Sequence, residues 1–332
     1  MSSMPDGCPA RRILCVGMCV LDIIHVCEQF PVEDTDKRCL SGYWQRGGNA
    51  SNVSTVLSNL NADCEFLGML SDSPAFAFLL EDCRQRSIKI SNCPKTKQDP
   101  PFSSVVLVEG RDSRTIIHSN SNFPILTYDH FHQLKLDDYD WVHFEARNPA
   151  ETRLMLNDIH EFNSKKKTER GPIMISVELE KERVENLELA ELADYVFLGK
   201  DLAKHLGWHD AKTAVFALRA RLNRKPSIIC TWGASGSSCL GVNNEYDQKE
   251  AATPIAVVDP LGAGDAFCAV AIYMLHAGRT LTQAIEAANI GAAHKLSVRG
   301  YDKLKSFDPL KITVVLLFRQ RSQAFNNFKI HI

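Results

Sequence analysis

Short apolar runs rich in β-branched residues recur along the chain, at 13–20, 66–70, 142–144, 173–177, 195–198 and 228–231. Runs of this length that do not alternate with polar residues suit parallel strands covered on both faces. Helical patterns lie between them. Val53, Val56, Leu57 and Leu60 share one helix face after Asn49, and Ala214, Leu218 and Leu222 share another. A helix through Leu202 and Leu206 stops at Gly207, and Thr280 with Gln283 reads as a capping box ahead of an Ala-rich helix. A strand is expected to end at Asp259, with a helix from Ala266 to His276 after a Gly-Ala-Gly turn. Strands alternating with helices predict an α/β fold on a mainly parallel sheet.

Two segments break this rhythm. Residues 26–46 and 103–119 alternate polar with apolar positions, and Ser104–Val108, a turn at 109–113 and Arg114–Ile117 read as a hairpin. Such strands suit a small second sheet, acting as a lid or as a dimer surface. Residues 312–318 form an apolar, β-prone run followed by Arg319, Arg321 and Lys329, too short for a membrane span. The expected organisation is an extension at 1–12, one domain at 13–302 with lid strands within about 18–46 and 102–120, and a divergent tail at 303–332.

Composition narrows the class. Apolar residues make up 45% and charged residues 23%, which excludes wholesale disorder, and the net charge of −2 gives no overall field to draw nucleic acid or an anionic membrane. The 11 cysteines are scattered, with no CxxC pair and no zinc spacing, so they read as buried thiols in a reducing, cytoplasmic setting. The run at 13–20 follows Arg11-Arg12 like a signal segment, but no small-residue cleavage site follows and Asp22 interrupts it; a first strand explains it better.

The most informative stretch is Asp259-Pro260-Leu261-Gly262-Ala263-Gly264-Asp265. Amides of Gly262, Ala263 and Gly264 at a helix N-terminus would present unpaired donors and a positive dipole end to a phosphate. Asp265 in that first turn would repel an anion unless it has a use. Taking a proton from an attacking hydroxyl is such a use; the bland alternative is a dipole-friendly cap. The sequence lacks the GxxxxGK[ST] P-loop, and the Gly-Ala-Gly turn lacks the third glycine of the dinucleotide fingerprint.

This stretch resembles the second signature of the PfkB (ribokinase-like) carbohydrate kinases, and Gly47-Gly48-Asn49-Ala50-Ser51-Asn52 resembles the first. Residues 38–41, 44–52, 143–148 and 200–207 resemble the members that phosphorylate ketohexoses. The resemblance implies a three-layer ribokinase-like α/β fold with a β-sheet lid (a β-clasp), ATP and Mg²⁺ as cofactors with K⁺ left open, and a homodimer paired through the lid. It puts the catalytic base on Asp265 and the anion hole on Gly262, Ala263 and Gly264. Asp22, Gly48, Asn49 and Asn52 would meet sugar hydroxyls, and Arg114 in the lid would clamp the moving phosphate. Glu145 would sit beside the sugar or a hydrated Mg²⁺, with no direct metal ligand assigned; its bland role is an ion pair with Arg147. Trp232, Gly233, Ala234, Ser235 and Gly236 match the nucleotide turn, Asn289 the adenine pocket, and Asp34 the position that reaches into a partner's sugar site.

The resemblance thus implies transfer of phosphate from ATP to a ketohexose, D-fructose at its 1-hydroxyl foremost. A kinase for ribose or a nucleoside such as adenosine is one alternative, and a sugar-binding regulator with little turnover is another. Three departures bear on activity. Pro260 stands where the signature has Thr, Ala234 replaces an acidic residue, and the NxxE metal motif reads Gly199-Lys200-Asp201-Leu202.

Overall fold

A computed structural model of the 332-residue chain describes residues 12–111, 113–120, 122–165 and 171–311. Its strands are β1 (Arg12–Val16), β2 (Val20–Cys27), β3 (Ser41–Gly47), β4 (Cys64–Leu67), β5 (Leu70–Ser71), β6 (Lys95–Thr96), β7 (Phe102–Val108), β8 (Arg114–Ser119), β9 (Tyr139–Glu145), β10 (Met174–Leu179), β11 (Tyr195–Leu198), β12 (Ser227–Thr231), β13 (Ser237–Leu240) and β14 (Tyr246–Lys249). Its helices are α1 (Asn49–Asn59), α2 (Ala77–Gln85), α3 (Tyr128–Phe131), α4 (Pro149–Lys165), α5 (Lys200–His205), α6 (Ala211–Arg219), α7 (Ala263–His276) and α8 (Leu281–Leu296).

The main sheet runs β14-β13-β12-β11-β10-β9-β1-β4. It is parallel from β4 to β12, and β13 and β14 add an antiparallel edge. Successive residues on each strand feed opposite layers. Ile13 and Cys15 pack with α1, α7 and α8, whereas Leu14 and Val16 pack with α4 and α6 on the other face. Both faces are therefore dry, which is why these strands read as unbroken apolar runs. The result is the expected three-layer α/β fold. The lid is a four-stranded sheet, β3-β2-β7-β8, and the expected hairpin is its β7–β8 pair.

Several expectations are corrected. The run at 13–20 is two strands divided at Gly17, where an added Cβ would lie 2.6 Å from a Glu145 carboxylate oxygen. No strand ends at Asp259. Residues 250–262 form an irregular loop, because Val258 is half exposed and the Val258 and Asp259 amides bond Leu296 O rather than a neighbouring strand. Helix α7 starts at Ala263, three residues earlier than expected, because Gly262 is left-handed at φ +78° and its carbonyl already accepts from Ala266 N at 3.0 Å. Leu222 falls outside α6, which ends at Arg219. The capping box is formed, with Thr280 and Gln283 bonding each other's backbone amides. The described cysteines are free thiols, buried except Cys39. The apolar run at 312–318 lies outside the described residues.

Candidate active site

Two helix N-termini meet at the carboxyl ends of the parallel strands, where open α/β sheets bind ligands. The first is α1. Its N-cap, Gly48, has φ +96°, and a Cβ there would lie 2.1 Å from Met18 O, so only glycine fits the turn. The second is α7. No side chain caps its first turn, and a Cβ on Gly264 would meet nothing within 4 Å, so the turn is open on the Gly264 side, whereas Tyr301 covers Gly262, where a Cβ would lie 1.8 Å from its hydroxyl. Asn52 of α1 bridges the two, donating Nδ2 to Asp265 Oδ2 at 2.7 Å.

Asp265 is 8% exposed. Burial pushes its carboxyl up to about 7; the Asn52 bond and Lys181 oppose this, and Glu180 and Glu145 reinforce it. A carboxyl of that strength exchanges protons readily at neutral pH, as a general base must.

Around it lies an acidic floor. Glu145, the last residue of β9, accepts from Met18 N and Ala50 N through Oε2, both at 3.1 Å, and from Arg147 Nε through Oε1 at 2.5 Å. Burial would raise its pKa, but Arg147 and the two amides outweigh it and hold Glu145 below the usual carboxylate range. Both oxygens are thus already committed, and the ion pair with Arg147 is formed. Asn49 donates Nδ2 to Glu180 at 2.8 Å and to Glu178 at 3.2 Å. Burial, then Glu180, Asp265 and Glu145, raise Glu178 well above its ordinary value. Among the described residues no trio of His, Cys, Asp or Glu is arranged to hold a metal. With both Glu145 oxygens already bonded, these side chains do not fit Mg²⁺ as direct ligands.

A buried ion pair braces the α7 turn from behind. Asp259 accepts from Lys295 Nζ at 2.9 Å, from Gly300 N at 3.0 Å and, across Pro260, from Leu261 N at 3.0 Å. The last bond makes an Asx-turn, so Pro260 stiffens the turn at a position whose N–H the turn does not use.

The residues expected on the nucleotide side lie at the β12–β13 connection. Trp232 N donates to Gly236 O at 2.7 Å around a turn of Gly233, Ala234 and Ser235. At Gly236, φ is +81° and a Cβ would fall 2.0 Å from Lys249 O. Asn289 of α8 donates to Ser237 Oγ at 3.0 Å, tying the helix to that turn. In the lid, Asp22 is buried beside Gly47, whose Cβ would come 2.0 Å from it. Burial lifts Asp22 to about 6, against bonds from Gln45 and Ser103. Arg114 opens β8 and is exposed. Asp34 is exposed on the β2–β3 loop in a left-handed conformation.

The expected residues Gly48, Asn49, Asn52, Glu145, Gly262, Ala263, Gly264 and Asp265 therefore come together, whereas Arg114 and Asp34 are exposed residues of the lid. Glu178, Glu180 and Lys295 were missed. Glu178 and Glu180 had a readable signal, acidic residues closing an apolar strand run. Lys295 had one too, as a lysine on the small, apolar stripe of Ala284, Ala288 and Gly291.

Comparison with known proteins agrees with this fold. The pfkB family carbohydrate kinase model matches residues 10–304. The chain is 40% identical to mouse ketohexokinase over 293 residues, covering 88% of this chain and 98% of the mouse protein. Among solved structures, the ribokinase of Giardia lamblia superposes with a TM-score of 0.76 at 15% identity over 89% of this chain and 96% of that one. Arabidopsis thaliana ribokinase, solved with ribose and ATP, gives 0.74 at 17% identity over 93% and 99%. The chain belongs to the pfkB family of carbohydrate kinases. It is an ATP-dependent sugar kinase, a phosphotransferase with an alcohol group as acceptor.

Proposed function

We propose that this kinase phosphorylates a ketohexose, D-fructose at its 1-hydroxyl before others, with Asp265 as general base. The observation that supports the reading is the 2.7 Å Asn52–Asp265 bond joining the N-terminal turns of α1 and α7. Asp265 thereby stands beside the turn of Gly262, Ala263 and Gly264. In this scheme Asp265 takes the proton of the acceptor hydroxyl, and the amides of Gly262, Ala263 and Gly264 hold charge developing on the transferred group. Gly48, Asn49, Asn52, Asp22 and the lid orient the sugar, Arg114 clamps phosphate when the lid is closed, and the turn at 232–236 with Asn289 receives the nucleotide. Mg²⁺ would arrive with ATP; no protein ligand is assigned to it, and no K⁺ site is proposed. The ketohexose preference is supported by the 40% identity to mouse ketohexokinase.

We also propose that two copies pair through their lids. Leu21, Ile23, Trp44 and Phe102 line an apolar groove on the lid face turned away from the site, and Trp44 is 55% exposed. Such a patch on a small sheet suits a protein partner.

The deciding experiment is ADP release with fructose, ribose and adenosine side by side, with the phosphorylated position read by NMR. Fructose 1-phosphate as the preferred product supports the proposal; preference for ribose or adenosine overturns the ketohexose assignment. For the base, Asp265→Asn is expected to lower kcat by about 10²–10⁴-fold while sugar binding persists. Unchanged turnover would remove Asp265 from the mechanism.

A further inference from the structure

The strand register of the lid sets four polar residues side by side. Gln45 of β3 stands opposite Asp22 of β2, Asp22 opposite Ser103 of β7, and Ser103 opposite His118 of β8. Residues two apart on a strand share a face. Ile24, Val105 and Leu107 therefore mark the face that carries this row, and they cluster with Leu261, the neighbour of Gly262 in the phosphate turn. The row looks toward the active site. The opposite face carries Leu21, Ile23 and Phe102 of the outer groove.

Ser103 Oγ lies 3.1 Å from His118 Nδ1. On its other side Ser103 stands in register with Asp22, and Ser103 and Gln45 both favour the charged form of that carboxylate. Asp22 and Ser103 are each 6% exposed, while His118 is open toward the site. An ionised carboxylate only accepts, so the single Ser103 hydroxyl proton goes to Asp22. Ser103 Oγ must then accept from His118 Nδ1–H, and the imidazole is fixed as the tautomer whose Nε2 carries a lone pair. Nε2 has no protein partner among the described residues. Burial lifts Asp22 only to about 6, so it remains an acceptor at neutral pH. Partial burial, then Arg147 and Lys181, lower the pKa of His118 against the pull of Glu145, which keeps the ring neutral.

We infer that Asp22, Ser103 and His118 form one relay, with His118 a further sugar-binding residue whose Nε2 accepts a hydrogen bond from one hydroxyl of the acceptor sugar. Asp22 and Ser103 act as positioning residues that set the tautomer. The inference rests on the sugar-kinase reading and deepens it, because a fixed acceptor on the lid reads hydroxyl configuration only when the lid covers the substrate.

The test compares kcat/KM of wild type, His118→Ala and Ser103→Ala on the preferred ketohexose and its monodeoxy analogues. Each neutral hydrogen bond lost should cost about three- to tenfold. The expected result is that His118→Ala loses that factor on the parent sugar but loses nothing more on one particular deoxy analogue, the other penalties and KM for ATP being unchanged. Ser103→Ala, which frees the tautomer, should show the same analogue-specific pattern more weakly. Every deoxy penalty persisting at full size in His118→Ala, with normal circular dichroism, overturns the inference alone. A wild-type protein that phosphorylates no sugar overturns the kinase reading and this inference with it.

Discussion

The ion pair behind the phosphate turn invites the sharpest perturbation, Lys295→Met, which keeps the length and apolar stem of the side chain and deletes its charge. Lys295 and Asp259 are each 1% exposed, and Nζ bonds both the Asp259 carboxylate, at 2.9 Å, and the Asp259 carbonyl, at 3.2 Å. Burial pulls the lysine pKa down and Asp259 pulls it back up. Breaking such a pair strands a buried carboxylate, which costs about 3–5 kcal/mol. The two backbone donors that remain, Gly300 N and Leu261 N, offset part of this, so the lower half of that range is expected. At roughly 2 °C per kcal/mol for a chain of this size, Tm should fall by about 6–8 °C. The assay is urea unfolding of Lys295→Met, Asp259→Asn and the double variant. Removing both charges leaves no stranded ion, so the double variant should recover most of the loss, giving a coupling energy above about 1 kcal/mol. Additive losses, or a Lys295→Met variant within about 0.5 kcal/mol of wild type, would refute the claim that the pair sustains the turn. Because Asp259 also fixes Leu261 N, KM for ATP should rise in Lys295→Met before KM for the sugar does.

Three other outcomes are expected. Asp265 must be ionised to act as a base, and its pKa is raised to about 7, so kcat/KM should climb with pH through about 7 and level off above it. Asn52→Leu removes the bond that lowers this pKa, so the rising limb should move to higher pH; a limb that stays in place separates Asn52 from the base. Trp44→Lys puts a charge on the outer lid groove, and light scattering should show wild-type dimers becoming monomers; a dimer that persists places the contact elsewhere.

The parts of this molecule that were legible in the sequence are those coded locally. The capping box of α8 is complete in four consecutive positions, the hairpin β7–β8 is two runs around one turn, and the Gly-Ala-Gly signature carries its own backbone requirement. The supposed strand before Asp259 misled because Val257 and Val258 have strand-like side chains, whereas a strand also needs a free neighbouring edge, and the amides there are taken by Leu296 O. The partners of Lys295 and Asn49 were illegible for a different reason. Asp259 lies 36 residues from Lys295 and Glu178 lies 129 residues from Asn49, and only the folded sheet brings each pair together. The Asp22–Ser103–His118 row likewise exists only through the register of three strands.

Leu261 packs beneath Ile24, Val105 and Leu107 of the lid while its own amide is tied into the turn that precedes Gly262. In the proposed mechanism that side chain would serve as a latch between the cover and the phosphate seat. Swinging the cover outward would uncover the leucine and remove packing that holds the seat in shape. A nucleotide arriving with no sugar to keep the cover shut would meet a slackened seat, whose amides would do less to stabilise charge on the phosphoryl group. The coupling would tie hydrolytic waste to the same movement that admits the acceptor.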